Sequence, residues 1–230
     1  MLSAIIVGKK PINKPIDQQI RVNAWLGLVR RKGLGLFQGY TNNASDKGTN
    51  EFRQLLTRMT LAHQHFPEHY PELSEERLLA TLDVWLAPFL GDVNNLDQLI
   101  KIDIIEPLKN CFDWKTQTSL NSLLPTRITV PSGSSIAIIY QLDGPAKVSV
   151  RMQEVYGLSA TPELCNGNIS LLMDLLSPAR RSLQLTEDLG GFWKGSYRSI
   201  QKEMKGRYPK HFWPDNPEQA KATSKTKAKM

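Results

Sequence analysis

The chain reads as α+β: an N-terminal mainly helical region, then a small antiparallel sheet with a C-terminal amphipathic helix. Three observations predict this class. Apolar residues recur at three- and four-residue spacing through residues 17–124. β-branched residues gather in short runs after Pro125. A last stretch, 186–205, separates apolar from basic residues around a helical wheel. The 230 residues suffice for one large domain or two small ones with a real core.

Residues 3–7, SAIIV, read as a single strand followed by Pro11 and Pro15. A lone strand leaves its backbone unsatisfied, so it needs partners elsewhere. Asp17 is placed to cap a helix over about 18–32, with Ile20, Ala24, Trp25, Leu28 and Val29 on its apolar face. Arg30, Arg31 and Lys32 suit the negative end of its dipole, and Gly33 suits a left-handed stop. A second helix is expected over about 50–65, carrying Phe52, Leu55, Leu56, Met59 and Ala62. A third begins at Ser74 and runs toward Pro88, lined by Leu78, Leu82, Trp85 and Phe89. Asn95 is placed to cap a fourth helix, interrupted or ended near Pro107, and Asp113 a fifth that stops before Pro125.

Beyond Pro125, residues 126–130 and 135–141 flank Pro131-Ser132-Gly133 and predict a hairpin. Strands are expected at 146–150, 169–176 and 182–185, with one or two helical turns at 151–156. Thr186 is placed to cap a helix that runs to about Lys205. In it Leu189, Trp193, Tyr197, Ile200 and Met204 share one face, and Lys194, Arg198, Lys202 and Lys205 share the other. Glycines at 190, 191 and 195 weaken that helix, by about 1 kcal/mol each relative to alanine. Residues 215–230 are rich in Lys, Ala and Thr and read as a disordered basic tail. The resulting division is 1–14, 15–125, 126–214 and 215–230.

Composition narrows the function. No run reaches the roughly 18 apolar residues that span a bilayer, and the N-terminal lysines follow the apolar run, the reverse of a secretory signal. A cytoplasmic protein with no membrane partner is the expectation. Cys111 and Cys165 stand far apart and predict reduced thiols. The net charge is +7, and residues 191–230, with ten basic and three acidic residues, carry all of that excess. A localised basic segment suits an anionic partner, most often nucleic acid. Lys194, Arg198, Lys202, Lys205, Arg207 and Lys210 are candidates to neutralise phosphates, and Tyr208, His211 and Trp213 to stack on unpaired bases. The alternative is that the aromatic residues fill a core and the cations pair with acids of the helical half.

Other chemistry lacks its residues. No G-x-x-x-x-G-K-[ST] loop is present: Gly8-Lys9-Lys10 lacks both the upstream glycine and the hydroxyl, and Lys47-Gly48-Thr49 reverses the order. No Asp-Glu-x-His box is present, and Arg30-Arg31-Lys32-Gly33 reads as a helix end. His63, His65 and His69 have ligand-like spacing, but Pro67 interrupts them and no cysteine is near, so no metal is expected. Ser132 to Ser135 lie in a hairpin turn without a nucleophile elbow. Asp83, Asp92 and Asp97 read as solvated. No catalytic residue is assigned.

Three separated, colinear motifs carry a family resemblance. Residues 175–217, LLSPARRSLQLTEDLGGFWKGSYRSIQKEMKGRYPKHFWPDNP, contain the pattern LLSPA, DLxGFW, GSY, KEMxGRYPKH and WP. Leu78 to Leu82 with Trp85 to Pro88 match LLATLxxWLAP, and Thr129 to Ser134 match TVPSGS. Together they resemble the C-terminal portion of the bacterial HrpB-type, DEAH-like ATP-dependent RNA helicases. The resemblance implies a motor of two RecA-type domains that this chain lacks, using ATP and magnesium in the full-length family; no cofactor is expected in this chain. It makes residues 3–7 look like the last strand of an oligonucleotide-binding fold. It leaves open a fragment, a separately encoded remnant or a misplaced start. The implied role is accessory: contact with nucleic acid, with single-stranded RNA the first candidate, or docking of the motor. A protein-interaction module without nucleic-acid contact is the alternative.

Overall fold

The computed structural model of the chain describes residues 16–41 and 51–229. The strand expected at residues 3–7 lies outside them. The elements are α1 (Gln18–Lys32), α2 (Gln38–Thr41), α3 (Glu51–His65), α4 (Glu75–Ala80), α5 (Leu82–Trp85), α6 (Leu96–Ile100), α7 (Ile105–Lys109), α8 (Trp114–Leu123), β1 (Arg127–Thr129), β2 (Ser135–Ala137), β3 (Ala146–Arg151), β4 (Leu171–Leu176), β5 (Ser182–Thr186), α9 (Leu189–Lys194) and α10 (Tyr197–Arg207). Short 3₁₀ turns join several of them. The α+β class stands. Among the described residues no helix is long and apolar enough to cross a membrane.

The chain forms two compact units. One holds described residues 16–41 and 75–111; the other holds 51–74 and 112–229. This differs from a boundary at Pro125: α3 and α8 belong with the sheets, α9 and α10 rather than with the other N-terminal helices.

The first unit is helical. Asp17 caps α1 by accepting from the amides of Gln19 and Ile20, at 2.9 and 3.2 Å. Gly33 closes it at φ 75°, a conformation that glycine adopts without a Cβ penalty. Val22, Leu26 and Val29 are the buried face, whereas Ile20 is exposed. Trp25 Nε1 donates to the Val93 carbonyl at 3.0 Å, and an Arg21 amino group to that of Gly91 at 2.6 Å. The single helix expected from Ser74 to Pro88 is instead α4, α5 and a 3₁₀ turn. At the break, the Thr81 hydroxyl donates to the Arg77 carbonyl at 2.8 Å, a bond that competes with continuation of the helix. Leu78, Leu82 and Trp85 are buried as the spacing implies, while Phe89 is not. Asn95 caps α6 through the Gln98 amide at 2.9 Å.

The second unit holds the sheets. β1 and β2 pair antiparallel, with Thr129 opposite Ser135, as the hairpin signal implies. The expectation of an antiparallel sheet needs one correction. The order of the larger sheet is β3-β4-β5; β4 and β5 are antiparallel, but β3 and β4 are parallel, with Ala146 opposite Leu171. A parallel pair needs a long crossover, and here residues 152–170 supply it without an α-helix. Ala146, Val148 and Val150 of β3 and Leu171, Met173 and Leu175 of β4 are buried. Full burial of such a valine or leucine stabilises by about 1.5 to 3 kcal/mol. Asp113 caps α8 through the Thr116 amide at 2.7 Å. The buried Arg58 of α3 donates to the Leu124 carbonyl and to Asn121 Oδ1, both at 2.6 Å. Burial lowers its pKa.

The expected disordered tail is also corrected. Gly157 donates its amide to the Pro217 carbonyl at 2.9 Å, and the Thr223 amide donates to the Gln153 carbonyl at 2.9 Å. The Gln153 side-chain amide donates to the carbonyls of Thr223 and Lys225, at 3.0 and 3.1 Å. Backbone partners of this kind are invisible to composition.

Candidate nucleic-acid interface

The helix expected over 186–205 is two helices. Thr186 is taken up by β5, opposite Met173, so the cap passes to Asp188, which accepts from the Gly191 amide at 2.8 Å. The chain breaks at Gly195, and α10 begins at Tyr197. Gly190 and Gly191 sit in tight quarters: an added Cβ would lie 2.7 Å from the Ser159 carbonyl oxygen at the first and would collide with Asp188 Oδ2 at the second.

The break does not spoil the segregation of faces. Leu189, Trp193, Tyr197 and Met204 are buried, together with Phe192 and Gln201, and Ile200 is half-buried. Trp193 meets Tyr197 edge-on at 5.2 Å between centroids, and Tyr156 meets Tyr197 and Phe212 in the same way. Buried aromatic polar atoms have partners: Trp193 Nε1 donates to Leu158 at 2.8 Å, and Tyr197 to Pro214 at 2.7 Å. Burial raises the Tyr197 hydroxyl to about 12, so it remains a donor.

Lys194, Arg198, Lys202, Lys205, Arg207 and Lys210 are all exposed. Two of them have local ion pairs, Lys205 with Asp215 at 3.0 Å and Arg207 with Glu203 at 3.5 Å. The pairs are thus made within the segment, not with acids of the helical half. Lys205 and Gln201, both donating to Asp215, hold its carboxyl below the usual range. Among the described residues no carboxylate forms a salt bridge with Lys194, Arg198, Lys202 or Lys210.

The aromatic part of the expectation changes. Trp213 is only 4% exposed and donates its Nε1 to the Tyr208 carbonyl at 3.1 Å, so it is core and offers no stacking face. Tyr208 is half-buried and packs edge-on against His211 at 6.2 Å. His211 Nδ1 lies 2.9 Å from Gln153 Oε1. The Gln153 amide nitrogen is committed to two carbonyls, so its oxygen faces the ring and accepts from Nδ1–H. Burial, and secondarily Arg151, lowers the His211 pKa and favours this neutral form. His63, by contrast, serves structure: its Nδ1 is 2.8 Å from the Tyr70 carbonyl. Among the described residues no group of three His, Cys, Asp or Glu is placed to hold a metal ion.

Two surface features escaped the sequence reading. Trp114, at the first turn of α8, is 79% exposed. Its only signal is an aromatic residue directly after a capping aspartate. Arg127, Arg151 and Arg180 come together beside the two sheets. Their separation in sequence gives no signal, apart from the Arg180-Arg181 doublet after Ser177-Pro178.

The ATP-dependent helicase C-terminal model of the HrpB type matches residues 85–217, more than half of the chain. The chain belongs to the HrpB-type helicase C-terminal family. The match includes α10 and its exposed cations. The ATP-dependent RNA helicase HrpB of Escherichia coli K12 is 42% identical over 98% of this chain, which corresponds to 27% of that protein. A crystal structure of the E. coli DExH-box NTPase HrpB superposes with a TM-score of 0.82 at 42% identity, covering 96% of this chain and 26% of that one. A second, described as the E. coli DEAH/RHA helicase HrpB, gives 0.72 at 41% identity over 89% of this chain and 25% of that one. The chain therefore spans about a quarter of the length of these HrpB relatives.

Proposed function

We propose that this HrpB-type C-terminal chain contacts nucleic acid, with single-stranded RNA as first candidate, through the exposed cations of α9, α10 and the following turn, and that it supplies no ATP chemistry of its own. One observation carries the reading: Lys194, Arg198, Lys202 and Lys210 are exposed without a salt-bridge partner among the described residues, opposite a buried face that fixes the helix. Cations without an ion pair gain by displacing the counterions of a phosphate backbone, Arg198 less fully than the lysines because the Asp215 charge lies near it. The name of the E. coli relative, an RNA helicase, supports RNA as the polymer. A soluble cytoplasmic setting accords with the reading. The motor domains, which this sequence lacks, are the second partner.

The test is a titration of labelled single-stranded RNA into the chain at low salt, beside the triple variant Lys194→Glu, Arg198→Glu, Lys202→Glu. Binding that is lost in the variant supports the reading. Absence of binding at low salt, or equal binding by the variant, overturns it and leaves the interaction module.

A further inference from the structure

A second set of cations lines a groove that includes no residue of α9 or α10. The groove, of about 430 Å³, lies beside the hairpin and the larger sheet and is lined by Arg127, Ser135, Arg151, Glu154, Arg180 and Ser224 among others. Its lining holds three arginines and one carboxylate, Glu154. That carboxylate is already engaged: Glu154 pairs with Arg151 at 3.7 Å and accepts from the Ser132 hydroxyl at 3.2 Å. Arg127 and Arg180 have no carboxylate partner among the described residues.

The groove is also pre-ordered. Arg127 Nε donates to Ser135 Oγ at 2.9 Å, and one of its terminal nitrogens to the Ser135 carbonyl, so the guanidinium is held along the hairpin with donors to spare. Arg151 is held by Glu154. Arg180 sits in the turn between β4 and β5 with φ 60°, the left-handed region that disfavours a side chain of its kind. The turn is fixed on both sides: the Arg180 amide donates to the Ser177 carbonyl at 2.8 Å, and the Arg181 amide to Ser177 Oγ at 3.0 Å. A glycine would occupy that position with less strain, yet an arginine projects from it.

From this we infer that the groove between the β1–β2 hairpin and the β4–β5 turn is a site for a phosphoryl oxyanion, gripped by Arg127, Arg151 and Arg180. Planar guanidinium forks match phosphate oxygens in pairs, and the groove falls within the size range of small-ligand sites, about 300 to 1,000 Å³. The phosphoryl group has two possible sources, the backbone of a strand or a free phosphate. The site does not depend on the α10 row.

The arginine Nε–Hε resonances of the full chain report on the site, with inorganic phosphate and a labelled oligoribonucleotide as separate probes. The variant Arg127→Gln, Arg180→Gly removes two forks while relieving the left-handed backbone at 180, so its thermal midpoint should not fall. Phosphate should shift the three arginine signals in the wild type, and the variant should bind at least about tenfold more weakly. A variant that also loses oligoribonucleotide affinity, with a salt slope lower by about 0.7 per guanidinium removed, assigns the phosphate to a strand. Loss toward phosphate alone assigns it to a free anion. Signals unmoved by either probe, or a folded variant that binds both as the wild type does, overturn the site. The Lys194, Arg198, Lys202 reversal separates the two readings, because it should leave the phosphate shifts in place.

Discussion

Trp213 shows what a single side chain decides. Sequence composition places it among basic residues and suggests a base-stacking ring, but its indole nitrogen reaches the Tyr208 carbonyl and its ring is core. Trp213→Ala should therefore cost about 3 to 5 kcal/mol in denaturant unfolding. At salt and temperature where the variant stays folded, its RNA salt slope should match the wild type. His211 carries a pH dependence. Its folded pKa is lowered, so the unfolded chain binds the proton more readily, and stability rises with pH across that window. Stability should be full above the ordinary imidazole value of roughly 6.5 and decline as the pH falls through the lowered folded value. Unfolding measured across that range should show the decline, and His211→Gln should reduce it.

At the scale of elements, what is legible is what is local. Asp17, Asn95 and Asp113 each cap the helix that follows them, because one carboxyl or amide oxygen and an amide two or three residues on decide the matter. The hairpin follows from its own turn. Thr186 joins a strand instead of capping a helix because a partner in β4 claims it, and strand pairing is set by distant residues. The parallel β3–β4 pair was illegible for the same reason, as was the tail held by Gln153. Within the candidate site, the separation of basic from apolar faces was legible because it is periodic, and it survives the break at Gly195. The Asp188 cap yields a prediction: Asp188→Ala should destabilise by about 1 kcal/mol in chemical denaturation. Loss of near-UV aromatic signal at lower denaturant would show that α9 leads the change. An unchanged midpoint would mean that the cap carries no weight.

For the whole molecule, family membership and physical chemistry divide the work. The family match identifies an HrpB-type helicase C-terminal chain that is about a quarter of its relatives' length. The absence of a phosphate-cradling loop from the sequence predicts ATP turnover at background in a purified preparation. Turnover that co-purifies with the chain would contradict that. The proposed partner surface rests on the charge distribution: the whole +7 excess lies beyond residue 190, and α10 turns its cations outward. The most direct measurement is the RNA affinity of the chain as a function of salt, for the wild type and for Lys194→Glu, Arg198→Glu, Lys202→Glu. The account predicts a steep linear fall of log affinity with log salt in the wild type, with a slope of about 0.7 per phosphate contact on a single strand, and a slope shallower by about 2 to 3 in the variant. Equal slopes in the two proteins would contradict it.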